Sequence, residues 1–138
     1  MILTALLLMQ AGVQATPGDV ASEVDCTDPA TQTALNICSF DDFRAADAAL
    51  NEQWGRASAF AREMDERLAE YGETGDNFAR LRDAQRKWLA YRDAHCLALN
   101  GPRTATSGTI WPLIQNTCME NLTLARVELL RQYADQPN

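Results

Sequence analysis

Residues 81–96, LRDAQRKWLAYRDAHC, constrain the chain more than any other stretch. At 100° per residue Phe78, Leu81, Gln85, Trp88, Arg92, Cys96 and Leu99 fall on one stripe, with His95 beside it, which predicts a helix packed along that line. Gln85 and Arg92 sit among residues that belong inside, so each needs a polar partner from another element. Arg82, Asp83, Arg86 and Lys87 lie off the stripe and form a solvated face.

The flanking sequence supplies further helices. Asp28-Pro29 can start a short one, with Asp as N-cap and Pro at the first helical position, running toward Cys38. Ser39 with Asp42 three residues on approximates a capping box and starts a longer helix from Phe40 to about Tyr71. Its apolar stripe is Phe43, Leu50, Trp54, Ala57, Ala61, Met64 and Leu68; Asp47 falls inside it and Asn51 flanks it. A carboxylate and a guanidinium on facing stripes are costly alone, so Asp47 is expected to pair with Arg92 or with Arg126. Gly72 and Gly75 mark a turn, Asn100-Gly101-Pro102 stops the central helix, and Pro112 fits the first turn of a last one. There Ile114, Cys118, Leu122, Ala125, Leu129 and Tyr133 form the expected packing stripe. No strand-like alternation occurs. The fold class is all-α, a small antiparallel helical bundle with a short leading helix across one end, stapled by two disulfides.

Residues 1–15 carry an uncharged apolar run ending in Val13-Gln14-Ala15, which reads as a signal peptide cleaved after Ala15, although it lacks a basic start. Residues 16–25 read as a flexible leader and 26–135 as one helical domain. The apolar run falls short of the ~20 residues a membrane-spanning helix needs, so no stable insertion follows signal removal. Four cysteines in a short exported chain imply disulfides, and a periplasmic or secreted location. If residues 28–38 are helical, Cys26 and Cys38 stand ~18 Å apart, beyond the ~7 Å a disulfide allows. That favours Cys26 with Cys96 and Cys38 with Cys118; Cys26 with Cys38 and Cys96 with Cys118 remains open if the first segment bends.

Charge is the remaining signal. Of the net −7, all arises between residues 16 and 54, where Asp19, Glu23, Asp25, Asp28, Asp41, Asp42, Asp47 and Glu52 face Arg44 alone. Such a region repels nucleic acid and anionic lipid and attracts basic proteins. His95 is the only histidine, the cysteine spacing fits no zinc pattern, and no serine lies in a nucleophile-elbow context. Asp42 with Glu52, or Asp65 with Glu66, read as exposed acids rather than a glycosidase pair. No phosphate loop or basic-aromatic patch occurs. The expectation is a non-enzymatic protein with no cofactor and no metal.

Cys26, QTALNIC up to Cys38, Asp47 with Leu50-Asn51, then Leu-x-x-Ala-Gln-x-x-Trp-x-x-Tyr-Arg-Asp-x-x-Cys, Gly108-Thr109-Ile110, and Cys118 with Leu122-Thr123 and Arg126 follow one order. In this order they resemble the LprI-type lysozyme-inhibitor family, small secreted helical domains of the bacterial envelope. The resemblance covers residues 26–130. It implies a protein that binds and inhibits lysozyme, with Asp47, Asn51, Gln85, Trp88, Tyr91, Arg92, Asp93 and Arg126 as structural motif residues. Animal-type lysozymes are basic, which suits the acidic region. The expected partner is therefore lysozyme or another basic envelope protein, bound through Asp41, Asp42 or Glu52 with Phe40 or Trp111 as an aromatic anchor. The competing expectation is an envelope adaptor that binds peptidoglycan or a partner protein and inhibits nothing.

Overall fold

The computed structural model describes residues 24–136, so residues 1–15, read above as a signal peptide, and most of residues 16–25, read as a leader, lie outside the described residues. Three helices follow one another: α1 (Gln32–Glu70), α2 (Asn77–Asn100) and α3 (Trp111–Ala134). Thr31 starts α1 by accepting the Ala34 N–H on its Oγ1 at 3.1 Å. The helix then runs for 39 residues, about 58 Å. It ends in a Schellman motif: the Gly72 N–H reaches Ala69 O, the Glu73 N–H reaches Leu68 O, and Gly72 takes φ 78°.

The expected separate leading helix does not form. Its residues are the first turns of α1, continuous through Ser39, whose hydroxyl donates to Asn36 O and is buried, so it caps nothing. Because α1 starts at Gln32 rather than Asp28, residues 26–31 are free to fold back on it. This bend closes Cys26 onto Cys38 with Cα atoms 5.6 Å apart, and the second bond joins Cys96 to Cys118. The pairing favoured from sequence, Cys26–Cys96 with Cys38–Cys118, is thereby corrected: it assumed a helix where the chain bends.

The helices run up, down and up. α1 and α3 are therefore parallel, and three contacts along their length fix the register: Asn36 Nδ2 donates to Thr109 O, Asn116 Nδ2 donates to Ser39 Oγ, and the rings of Phe60 and Tyr133 meet edge to face. This pair packs most extensively, because α1 offers the buried alanines Ala46, Ala57 and Ala61 where α3 approaches. Leu50, Ala57, Ala61, Leu81 and Leu130 form the core, sealed by Trp54, Phe78, Trp88, Val127 and Tyr133.

On α3 the expected stripe is out of phase. Leu129 and Ile114 are about half exposed, whereas Thr123 and Leu130 are the residues shut from solvent. α3 is apolar on several sides, so hydrophobicity alone does not choose its inward face. Thr123 can point inward because its hydroxyl donates to Met119 O at 2.7 Å. Leu99, at the end of the α2 stripe, is also exposed.

Asp65 joins α1 to α2 in a way its sequence position hides. Asp76, at the N-cap of α2, makes no capping bond. Instead, the Asp65 carboxylate accepts the N–H groups of Asn77 (2.8 Å) and Phe78 (3.1 Å) and the Asn77 side-chain amide. Gly75 makes the approach possible, since a Cβ there would collide with the Asp65 side chain and lie 2.7 Å from its Cα. The guanidinium groups of Arg62 and Arg82 then lie over the Phe78 ring at 3.8 and 5.5 Å.

Candidate functional site

Two arrangements emerge from the residues singled out in the sequence: a polar seam inside the bundle and an acidic flank outside it. The seam is centred on Arg92. Its position on the α2 stripe forces the guanidinium inward, where it lies over the rings of Phe43 and Trp88 at 5.5 and 5.3 Å. Nη1 donates to Thr123 Oγ1 at 3.2 Å and stands 3.6 Å from Asp47, while Nε and Nη2 are each 3.0 Å from Asp93. Two turns away, Gln85 Oε1 accepts from Arg126 Nε at 2.9 Å, and Arg126 also lies over the Trp88 ring, at 5.8 Å. Between the two expected partners of Asp47, the carboxylate stands with Arg92. It is not buried, however: its side chain is 46% exposed, because residue 47 sits at the edge of the stripe.

This seam brings together Asp47, Gln85, Trp88, Arg92, Asp93 and Arg126 and ties all three helices to one another. Asn51 and Tyr91 stand apart from it. Asn51 is exposed, and Tyr91 is exposed with its ring tilted on His95 and its hydroxyl 3.5 Å from His95 Nδ1. The chemistry of the seam is structural: buried donors and acceptors paired across helices, with the acids opening to solvent. Among the described residues, no group of three or more His, Cys, Asp or Glu side chains is placed to hold a metal ion.

The acidic flank lies on the first half of α1, beside the start of α3. From Asp25 to Trp54 six acids meet only Arg44. Eleven residues bring a helix round to nearly the same direction, so Asp41 and Glu52 lie on one outward ridge about 16 Å long. The exposed Ala45 and Ala48 lie between them, and Asp42 stands exposed to one side. Glu52 is engaged by Arg56 at 2.6 Å, both in solvent, and Asp47 by Arg92; Asp41 and Asp42 belong to neither pair. Phe40 is 49% exposed beneath Arg44, and Ile110 and Ile114 are exposed at the neighbouring start of α3. Trp111 is not the exposed loop aromatic expected from its Gly- and Thr-rich surroundings. It is the first residue of α3, partly buried, with Nε1 donating to Gly101 O at 3.1 Å and Arg103 against its ring. It closes the α2–α3 connection.

Sequence reasoning missed the role of Asp65, read there as an exposed acid: it is partly buried and caps α2 from α1. The available signal was Gly75 ahead of a helix whose own N-cap residue is followed by no capping partner.

Residues 26–130 match the family model described as lysozyme inhibitor LprI. An uncharacterized protein of Rhizobium meliloti (strain 1021) is 34% identical over 111 residues, covering 80% of this chain and 78% of the relative. No solved structure matches the chain.

Proposed function

Given that the chain belongs to the LprI lysozyme-inhibitor family, we propose that it binds a basic lysozyme through the acidic flank of α1 and acts by occupancy rather than by catalysis. The observation that carries this reading is the pair Asp41 and Asp42, which no base of the seam or of the ridge engages, next to an exposed Phe40. Charge of this kind raises the encounter rate with a cationic partner, and a neighbouring aromatic supplies the desolvated contact that slows dissociation. Phe40 therefore replaces Trp111 as the preferred anchor, with Glu52 at the end of the ridge. The two disulfides fit an oxidising compartment, and among the described residues no helix is long and apolar enough to cross a membrane. Residues 1–15 acting as an export signal, with 26–135 as the periplasmic or secreted domain, complete the proposal.

The test is titration of the oxidised protein against a basic lysozyme in a cell-wall clearing assay at low and high salt. Stoichiometric inhibition that weakens with salt is expected, because exposed charges act over a Debye length of ~8–10 Å at physiological ionic strength and less above it. Reversing both charges, Asp41→Lys with Asp42→Lys, should slow association roughly tenfold. Inhibition unaffected by salt and by this double reversal would refute the assignment of the face. No inhibition of any lysozyme type would leave the adaptor reading in its place.

A further inference from the structure

At the end of the bundle away from the disulfides, α2 and α3 leave an open cavity of about 370 Å³ between them. Leu81 and Ala84 of α2 and Leu129, Leu130 and Tyr133 of α3 give it apolar walls, and Arg126 enters from the side. Leu129 is left half exposed there although it sits next to the most deeply buried leucine of the helix. The two cations at this cavity differ. Arg80 is neutralised by Asp76 at 2.8 Å and is largely exposed. Arg126 is half buried, fixed through Nε to Gln85 and laid over Trp88; among the described residues no carboxylate pairs with it, and burial alone pulls its pKa down. A guanidinium held by one edge keeps the rest of its planar fork for a ligand, and a partly desolvated cation without a counter-ion favours an anion in an apolar setting.

We propose that this cavity binds a single-chain fatty carboxylate, with the chain along Leu81, Ala84 and Leu129 and the carboxylate on the fork of Arg126. The volume lies low in the ~300–1,000 Å³ range of small-molecule sites, which suits one short chain. One uncompensated fork matches a monoanionic carboxylate, whereas a phosphate head would call for further cations or N–H donors. The site is on the opposite end of the molecule from the acidic flank, so it does not rest on the lysozyme reading.

The test is titration of the full-length, oxidised, isotopically labelled protein with decanoate, octanoate and decanol, followed by amide NMR shifts. Decanoate should saturate shifts at Ala84, Leu129 and Arg126, and octanoate should bind roughly tenfold more weakly for its two missing methylenes. Decanol, with the same chain and no charge, should bind at least tenfold more weakly than decanoate. R126Q should abolish the preference for acid over alcohol, and R126K should restore only part of it. Because Arg126 also supports Gln85, Ala84→Phe provides a second variant: Ala84 is exposed, so the phenyl fills the cavity without removing a packed group and should abolish binding of both probes. Equal affinity for decanol and decanoate, shifts outside the cavity, or no saturation at millimolar decanoate would overturn the proposal. A dimer in sedimentation that A84F converts to monomer would also overturn it, assigning the cavity to a second copy of the chain.

Discussion

Replacing Arg92 separates two accounts of the seam, because the guanidinium is buried while both of its acids are not. Asp47 and Asp93 have side chains 46% and 57% exposed, so on losing Arg92 they rehydrate, and no buried charge is orphaned. The cost must then come from what the guanidinium does locally. It makes one charge-assisted bond to the fully buried Thr123, worth about 1.5–3 kcal/mol, and faces two aromatic rings, worth about 0.5–1 kcal/mol each. Arg92→Ala also leaves a cavity between Phe43 and Trp88 and should destabilise by about 3–5 kcal/mol. Arg92→Met keeps the stem packed between the rings and removes the desolvated charge, which offsets part of the lost bonding; about 1–2 kcal/mol is expected. Arg92→Lys keeps the charge but replaces a fork serving three partners with a single ammonium in the same buried place, and should cost about 2–4 kcal/mol. The predicted order of stability is wild type, Met, Lys, Ala. Urea unfolding of the oxidised proteins reads it directly, with unchanged slopes and shifted midpoints. A lysine variant as stable as wild type, or more stable than methionine, would refute the reasoning by making charge rather than packing and bond geometry the source of stability.

Gly75→Ala should destabilise by about 1–3 kcal/mol through overpacking against the Asp65 backbone, and Asp65→Ala should selectively speed hydrogen exchange in the first turn of α2; uniform exchange across α2 would count against the cap. Opening either disulfide should cost about 3 kcal/mol, since sequence separations of 12 and 22 give similar loop entropies. Peptide mapping during mild reduction should nonetheless find Cys26–Cys38 open first, because Cys26 is exposed and Cys96 is fully buried; the reverse order would contradict the burial argument. In acid, the Arg131 fork and the Gln132 amide hold the Glu128 carboxyl down at about 2. Hydrogen bonds, first from the Phe78 N–H and then from Asn77, hold Asp65 below the ordinary carboxylate range against partial desolvation. Both groups have folded pKa values below their unfolded ones, so the folded state binds fewer protons: the stability they contribute is complete above about pH 4.5 and is lost as pH falls toward 2. Carboxyl NMR titration should show both still charged after acids without such partners protonate, and Glu128→Gln should flatten the acid limb of the unfolding curve only slightly, since its pair with Arg131 lies in solvent.

The three helices and the inward position of Gln85 and Arg92 were legible from periodicity, because a 3.6-residue repeat survives whatever packs against it. The need of Arg92 for a carboxylate was legible on the same ground. The disulfide pairing was not, since it turned on whether residues 28–31 bend or form a helix, and Asp28-Pro29 reads as a helix start whereas the chain caps α1 with Thr31. The phase of α3 was also hidden: with Leu122 and Leu129 on one side and Leu124 and Leu130 on others, only the tertiary setting selects Thr123 and Leu130. Trp111 shows the opposite limit. A Gly- and Thr-rich stretch does suggest exposure, but an indole N–H one bond away from Gly101 O is a three-dimensional fact.

The distribution of charge separates the acids that hold the bundle together from those that do not. Apart from the pairs around Arg92, its ion pairs are local, three or four residues apart on helix surfaces, and pairs of this kind contribute little to stability. The seam and the Asp65 cap hold the helices together, whereas Asp41 and Asp42 enter neither. Acids that hold nothing can be changed without loosening the fold, so their reversal should move the urea midpoint by no more than about 0.5 kcal/mol of stability. A loss of lysozyme inhibition in that variant would then belong to the binding face itself, and not to a weakened bundle.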